Sequence, residues 1–336
     1  MSTVAAEGAL DMLTVYLLQT ALPLLLILWL LLLPPRHGAG FWMLALAAAA
    51  MTVASEKLGI WVFPPWWVPH LMALALGGAL IWNLIHPQQR PWWPVGGIGW
   101  LFLAFFAWIA GFAAMQARDA WVGAAMPGGP SVKLAWPLAP GSYLVVNGGA
   151  SASINAHAAL KDPSLPLHAG YRGSSYGVDL IAVNRWGLRA NSVMPADPAR
   201  YAIFSTPVLA PCTGQVVVAV DGRPDMRVPK LDEGHPEGNH VLLRCDGFDI
   251  LLGHFRQGSL RVAAGDRLTQ GEQIGEVGNS GESSEPHLHI HAQRQGRPEA
   301  PFAAAPVAMR LDGRFLVRGD RVDIAGQPPF LRNPPP

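Results

Sequence analysis

Charged residues are scarce in the first third of this 336-residue chain. The sequence contains 24 Lys and Arg and 23 Asp and Glu, yet only six of these charges precede residue 118. A water-exposed domain needs a polar surface, and so few charges could not provide one. The distribution implies two solvents, with lipid around residues 1–117 and water around the rest of the chain.

The chain also lacks a sizeable net charge and has few cysteines. Its formal net charge is +1, so no nucleic-acid or polyanionic partner is expected. The two cysteines, Cys212 and Cys245, both lie beside predicted strands in the second part. A disulfide between them is predicted if that part faces the outer side of a membrane, whereas two buried free thiols are expected in the cytosol.

Four long hydrophobic runs fill the first part of the chain. They cover residues 12–33, about 41–63, 70–85 and 95–117. A bilayer is spanned by about 20 apolar residues, so we predict a four-helix transmembrane region over residues 1–117. Tryptophan pairs at 66–67 and 92–93 lie in the connections, as an aromatic belt would. The first run is too long, and too little preceded by positive charge, for a cleaved signal peptide.

The orientation of these spans follows from the charges in their connections. Arg36 lies in the first connection and Arg90 in the third, and positive residues favour the cytoplasmic side. The N-terminus and everything after residue 117 would then lie on the outer side. Glu56 and Lys57 are the only charged candidates for an ion pathway, so we interpret the four spans as an anchor.

The second part of the chain has the pattern of a β-domain. Residues 118–140 are rich in Gly, Pro and Ala and are predicted to form a linker. Short β-type runs separated by Gly, Asp and Pro then follow, among them residues 143–146, 215–220, 240–244 and 249–252. They predict a mostly-β, antiparallel domain over residues 141–305. Residues 306–336 are expected to add short strands and a loose Pro-rich tail.

A run of alternating histidines indicates the chemistry of this domain. His287, His289 and His291 alternate with Leu288 and Ile290, which are good strand formers. Side chains at positions i and i+2 of a strand point the same way, so the three histidines are expected to share one face. Imidazoles on one rigid face can bind a metal and transfer protons beside it. The alternative is a solvent-facing edge strand with chance histidines.

The segments around these histidines resemble the motifs of the lysostaphin-like (LytM-domain) zinc metallopeptidases, which cut peptidoglycan peptides. The similar segments are residues 176–179, 208–214, 253–255, 262–266, 270–275, 278–281 and 286–289. They occur in the family's order and cover residues 143–300. The resemblance implies a LytM-type fold and a Zn²⁺ cofactor. Together with the hydrophobic runs and the charges in their connections, it predicts a multi-pass protein of the bacterial inner membrane whose catalytic domain faces the periplasm or cell exterior.

The resemblance also implies a role for each matching residue. Asp179 and His289 match zinc ligands, His287 matches the general base beside the metal, and His254 matches the second catalytic histidine. Zinc with three protein ligands keeps one position for water and lowers the pKa of that water to about 7. His287 would take the proton of the water, and His254 would donate to the oxyanion that develops on the scissile carbonyl.

One ligand of the family is missing from its usual place. The histidine that normally lies four residues before the aspartate is Ser175 in this chain, and a hydroxyl is a poor zinc ligand. We predict that His157 is the third ligand, because some relatives without the usual histidine carry an Asn-x-His segment like the one that begins at Asn155. His168 is the rival, but it lies in a Gly- and Pro-rich stretch without support from a strand.

Three functions are compatible with the sequence. The leading one is a membrane-anchored zinc endopeptidase acting on peptidoglycan peptides. If the metal site is degenerate, the domain would instead bind or activate another cell-wall hydrolase, and the sequence names no such cell-wall or division partner. The third is a carrier- or adaptor-like β-sandwich, whose hairpins share the glycine pattern of residues 262–275. That alternative does not explain His254, His287 and His289 together.

Overall fold

The computed structural model of the protein describes residues 2–162, 164, 166–297 and 300–325. A helical unit comprises Ala9–Val122, and the chain from Gly123 onwards belongs to a β-rich unit. The predicted order, apolar helices followed by a mostly antiparallel β-domain, is therefore confirmed.

Four helices account for most of the first unit. They are α1 (Ser2–Leu32), α2 (Gly38–Leu58), α3 (Val68–Ile85) and α4 (Gly97–Gly123). Leu30, Leu44, Met72 and Phe106 are buried in the core between the helices. Many large apolar side chains point outward instead, which is costly in water but not in lipid.

Three of these helices, α2, α3 and α4, are long and apolar enough to cross a membrane. The apolar part of α1 whose side chains the structure describes, Leu18–Leu32, is shorter than the roughly 20 residues that a span requires. The count of four spans therefore stays a prediction, while membrane anchoring agrees with the described helices.

Helix α2 ends at Leu58, before the predicted end of the second hydrophobic run near residue 63. Gly59 follows the helix, and the amide side chain of Gln19 then takes over the hydrogen bonds of the irregular segment. Gln19 accepts from the backbone N–H of Ile60 (2.9 Å) and donates to the carbonyls of Ile60 (3.3 Å) and Phe63 (3.2 Å). These bonds let a non-helical stretch exist among apolar helices, because they satisfy its backbone.

Besides three 3-10 helices (Ala156–Lys161, Arg172–Tyr176 and Pro198–Arg200), the β-rich unit contains twelve described strands and one short α-helix. They are β1 (Ser131–Leu134), β2 (Gly141–Asn147), α5 (Pro166–Gly170), β3 (Val178–Ala182), β4 (Pro207–Leu209), β5 (Gly214–Val220), β6 (Asn239–Cys245), β7 (Phe248–Phe255), β8 (Arg267–Leu268), β9 (Gln273–Glu276), β10 (Leu288–Arg294), β11 (Pro306–Leu311) and β12 (Arg321–Ile324). Each of the short β-type runs predicted from the sequence lies in one of these strands.

One large sheet organises the unit. Its strands follow the order β12-β2-β3-β10-β7-β6-β5-β8, and all these neighbours are antiparallel. Strand β11 pairs with the end of β10 and carries β1 as a parallel neighbour. Strands β4 and β9 form a separate two-stranded sheet. Strand β10 is thus central, with β7 on one side and β3 and β11 on the other.

The alternation of β10 separates core from chemistry, as the sequence predicts. Leu288, Ile290 and Ala292 are fully buried in the hydrophobic core of the unit. His289 and His291 therefore point to the opposite face, and His287 joins them from the residue just before the strand.

The segment predicted as a linker, residues 118–140, is partly structured. Helix α4 continues through Gly123, and Val132 and Leu134 of β1 are buried against the core of the β-unit. The apolar alternation of these residues is short and lies within a Gly- and Pro-rich stretch, so it does not indicate a strand. The segment forms a strand because it pairs with β11, which is distant in the sequence. The C-terminal strands likewise complete the large sheet, while residues 326–336 of the predicted Pro-rich tail lie outside the described residues.

A disulfide joins Cys212 to Cys245, as predicted for an outward-facing domain. Cys212 precedes β5 and Cys245 ends β6, two strands that pair with each other. The bridge closes a sequence separation of 33 residues, so the chain-entropy model assigns it about 3–4 kcal/mol of stability.

Candidate metal centre

Two of the predicted ligands face each other across adjacent strands. Asp179 on β3 and His289 on β10 are direct partners in the antiparallel register. The Nδ1 atom of His289 lies 2.8 Å from Oδ1 of Asp179. Both side chains are almost fully buried, so the sheet holds them in one relative position.

His157 reaches the same carboxylate from a different segment. It lies in a 3-10 helix, Ala156–Lys161, and its Nε2 atom is 3.0 Å from Oδ2 of Asp179. Asn155 caps this helix by accepting from the N–H of His157, while its own amide donates to the carbonyls of Gly149 and Gly177. The buried asparagine thus anchors the loop that carries His157 and explains the Asn-x-His spacing.

The three side chains fit a metal ion. Their ligand atoms all lie within 4.8 Å of one another. Two ligands at the usual 2.0–2.1 Å from a tetrahedral zinc are about 3.3 Å apart, close to the separations observed between Asp179 and each histidine. Two imidazoles, one carboxylate and an open fourth position are also the donor set of catalytic zinc sites. Their ligand roles nevertheless stay a prediction.

Ser175, which occupies the position of the missing histidine, and the rival candidate His168 both make their hydrogen bonds elsewhere. Ser175 is fully buried and its hydroxyl donates to the carbonyl of Arg172 (2.7 Å), within its own short helix. His168 lines the cleft, but its Nδ1 atom is 3.1 Å from the carbonyl oxygen of Asp162 and its ring is not part of the cluster. The structure therefore brings His157, and not His168, to Asp179.

Two further imidazoles, His254 and His287, stand beside this cluster. Their ring centroids are 4.6 Å apart, and the Nε2 atom of His287 lies 3.7 Å from Oδ1 of Asp179. His254, the penultimate residue of β7, has a φ of 64°, a left-handed conformation that non-glycine residues adopt only at a cost. Its backbone is held there by bonds to Glu237 and Gly278.

The loop before β10 orients His287. Its Nδ1 atom lies 2.9 Å from the carbonyl of Glu285 and 3.1 Å from the hydroxyl of Ser283. Glu285 is itself tied by its carboxylate to the buried guanidinium of Arg189 (2.6 Å). This loop is therefore fixed, and it aims the opposite ring nitrogen of His287, Nε2, at the cluster.

Burial and mutual charge set the protonation of the cluster. Burial opposes the charged form of Asp179, yet the charges of His157 and His287 and the hydrogen bonds from His157 and His289 lower its pKa well below the usual range. Burial also opposes protonation of His157, but Asp179 raises the pKa of that histidine. Burial lowers the pKa of His289 and, together with the charges of His287 and His289, holds the pKa of His254 well below its usual value.

The cluster opens into a cleft of about 400 Å³. Tyr171, Glu237, Glu282 and His168 contribute to its walls. Burial raises the pKa of both Glu237 and Glu282. The clustered histidines and Asp179 therefore share one cleft with two carboxyl groups, Glu237 and Glu282.

Several residues of the site carry no sequence signal that we recognised. Ser174 contacts Nδ1 of His291 (2.8 Å), and His291 in turn contacts Nε2 of His289 (2.9 Å). Asn147 donates to Oδ2 of Asp179 (2.8 Å). The alternation places His291 on the histidine face, but the positions of Ser174 and Asn147 depend on pairings between distant segments.

A comparison with known protein families finds a match in the middle of the β-unit. Residues 201–301 match the model of peptidase family M23. The matched range contains His254, His287 and His289, whereas His157 and Asp179 precede it.

Several curated relatives match part of this chain, among them two that differ in origin. DD-carboxypeptidase/endopeptidase Mpg of Neisseria meningitidis serogroup B is 34% identical over 91 residues, which is 27% of this chain and 19% of Mpg. Endolysin 2638A of Staphylococcus phage 2638A is 35% identical over 68 residues, 20% of this chain and 14% of the endolysin. The match thus spans a small share of each relative's length.

Two solved structures are also similar in part. A variant of the catalytic domain of the prophage-encoded M23 protein EnpA from Enterococcus faecalis has 22% identity over 36% of this chain and 68% of its own, with a TM-score of 0.25. The catalytic domain of lysostaphin from Staphylococcus simulans has 23% identity over 38% of this chain and 71% of its own, also with a TM-score of 0.25.

Proposed function

We propose that the protein is a membrane-anchored zinc metalloendopeptidase that hydrolyses peptide bonds of peptidoglycan, and the match of residues 201–301 to peptidase family M23 supports this proposal. The observation that carries the proposal is the convergence of His157, Asp179, His254, His287 and His289 on one cleft. The relative Mpg, named as a carboxypeptidase and endopeptidase, supports the reaction class.

The proposed ligands are His157, Asp179 and His289. Zn²⁺ held by them would acidify a bound water and polarise the scissile carbonyl. The imidazole nitrogens of His157 and His289 that face the metal position must be unprotonated, because a protonated nitrogen cannot bind a metal. The lowered pKa of His289 serves this directly. Asp179 raises the pKa of His157, so protons compete with the metal for this ring to a higher pH than for an unperturbed histidine.

His287 is proposed as the general base. Its Nδ1 atom faces the carbonyl of Glu285, which can only accept, so the neutral ring carries its proton on Nδ1. The lone pair of Nε2 is then directed at the metal centre, within reach of a water molecule there. A base in this position can take the proton of the attacking water and return it to the leaving amine.

His254 is proposed as the second catalytic histidine, with a condition that its hydrogen bond imposes. Its Nδ1 atom lies 2.8 Å from the carbonyl of Ser280, so the neutral ring also carries its proton on Nδ1. The Nε2 atom is then an acceptor in the resting protein. Donation to an oxyanion, which the family resemblance implies, requires that the ring gain a second proton during the reaction.

Zinc analysis joined to digestion of purified sacculi tests the function. The full chain in detergent should contain one zinc per molecule and release peptides whose masses identify the cleaved bond. Removing the metal with a chelator should stop the release, and adding zinc back should restore it. A preparation that holds zinc but leaves sacculi intact would contradict the enzymatic proposal.

The domain is further proposed to face the periplasm or cell exterior. Arg36 and Arg90 lie in alternate connections, and the disulfide between Cys212 and Cys245 suits an oxidising compartment. A reporter that is active only outside the cytosol should be active when fused after residue 118. The same reporter inserted at Gln88, in the connection that holds Arg90, is the matched control and should be silent. The reverse pattern would refute this orientation.

A further inference from the structure

The carboxylate of Asp179 has a donor that belongs to none of the matched motifs. Asn147 ends β2, where the pairing with β3 shifts register between Val145 and Asn147 and sets Asn147 opposite Asp179. Its Nδ2 atom donates to Oδ2 of Asp179 at 2.8 Å, the same oxygen that faces His157. This second contact on Oδ2 restricts rotation of the carboxylate, and therefore its aim at a metal.

The orientation of the Asn147 amide is dictated by Arg318. The Nη2 atom of Arg318 lies 2.9 Å from Oδ1 of Asn147. A guanidinium has donors only, so the oxygen of the amide must face Arg318 and the NH₂ group must face Asp179. The same oxygen also accepts from the backbone N–H of Ala156 at 3.3 Å, the residue before His157.

Arg318 is itself firmly anchored. Its Nε atom donates to the carbonyl of Val146 (2.9 Å), and Nη1 donates to the carbonyl of Ser153 (3.1 Å). It lies in the turn between β11 and β12, where Val317 and Asp320 close the turn and Gly319 bonds to Val145. Burial lowers the pKa of Arg318 to about 10, which leaves the guanidinium charged at neutral pH.

We propose that Asn147, held by Arg318, is a positioning residue that fixes Asp179 and the His157 segment relative to each other and thereby strengthens metal binding. The inference rests on the proposed function, since it concerns the same metal site. The C-terminal segment, which lies beyond the matched residues 201–301, thus reaches into the metal centre. It supports the ligand set in which His157 stands in for the histidine absent at position 175.

The test measures zinc affinity of the full chain in detergent by competition with a chromogenic chelator. Asn147→Ala and Asn147→Leu differ in volume but both lack the amide, and each should weaken zinc binding by about 10–100-fold. Arg318→Met should also weaken zinc binding, and Arg318→Lys should weaken it less than Arg318→Met. The exposed Arg314, in the same segment and bonded to Asp320, offers the matched control Arg314→Met, which should bind zinc like the wild type.

Two comparisons separate positioning from general stability. The Asn147→Ala/Arg318→Met double variant should bind zinc no more weakly than Asn147→Ala alone, because Arg318 acts on Asp179 through Asn147. The thermal midpoint of each metal-free variant reports folding separately, and Arg318→Lys replaces Arg318→Met in the cycle if the latter does not fold.

Three outcomes would overturn the inference. Zinc affinity of Asn147→Ala within about twofold of the wild type would do so, and so would losses that simply add in the double variant. If either of these two results is found while the wild type binds zinc and digests sacculi, this inference fails and the proposed function stands. A wild type that binds no zinc would overturn the proposed function together with it.

Discussion

Replacing His289 with Ala is expected to abolish both zinc binding and peptidoglycan hydrolysis. His289 contacts the Asp179 carboxylate through Nδ1, and Ser174 and His291 lie beside its Nε2 atom. Its loss leaves only His157 and Asp179 as ligands and removes the partner of Oδ1 on the buried carboxylate. Zinc content and peptide release, measured on the same preparation, should therefore fall together.

His287→Ala and His254→Ala should separate these two properties. Neither residue is a proposed ligand, so both variants should retain zinc. Turnover should fall by about 10²–10⁴-fold for His287→Ala, the range for loss of a general base. For His254→Ala the expected loss is about 10²–10³-fold, the range for an oxyanion donor. The exposed His86, which lies outside the site, provides the control His86→Ala.

The zinc measurements decide whether these roles are assigned correctly. Equal loss of zinc from all three site variants would show that His254 and His287 also hold the metal. Full turnover in His287→Ala would exclude it as the base, whatever its zinc content.

The second large effect is expected at His157. His157→Ala should lose zinc as completely as His289→Ala, because His157 completes the set on the carboxylate of Asp179. His168→Ala is the matched control, since His168 lines the same cleft but contacts the carbonyl of Asp162 instead. The control should keep zinc and most of its turnover.

Ligand-induced stabilisation gives an independent readout of the same pair. Zinc that binds only the folded protein raises the unfolding midpoint. At a free zinc concentration of 100 times the dissociation constant, the free energy of unfolding increases by about 2.7 kcal/mol. This rise should vanish in His157→Ala and persist in His168→Ala. The opposite pattern would transfer the ligand role to His168, and loss in neither variant would exclude both histidines as ligands.

Local periodicity was enough to predict much of the fold. The scarcity of charge before residue 118 indicated apolar helices, and short apolar runs bounded by turn residues indicated strands. Both signals arise from contacts within one helix or strand, so they survive in the linear sequence. The same alternation put His289 and His291 on one face of β10 and Leu288 and Ile290 on the other.

Sequence patterns predicted the structure less well where a short segment depends on contacts with a segment distant in the chain. Strand β1 was predicted as part of a linker because its four residues sit in a Gly- and Pro-rich stretch. It becomes a strand only through pairing with β11. The end of α2 was likewise misplaced, since the bonds from Gln19 that stabilise the following turn come from another helix.

For the site, the sequence alone predicted the candidate residues, because their motifs are contiguous and residue-specific. It left His157 and His168 as rivals, since both precede Asp179 in a loop whose path no local pattern determines. Tertiary structure brings the capped helix of His157, and not His168, to the Asp179 carboxylate, while the ligand role itself stays a prediction. Tertiary structure alone also joins Asn147 to Arg318. Those contacts depend on the register of β2, β3 and β12, which is set by the packing of the whole sheet.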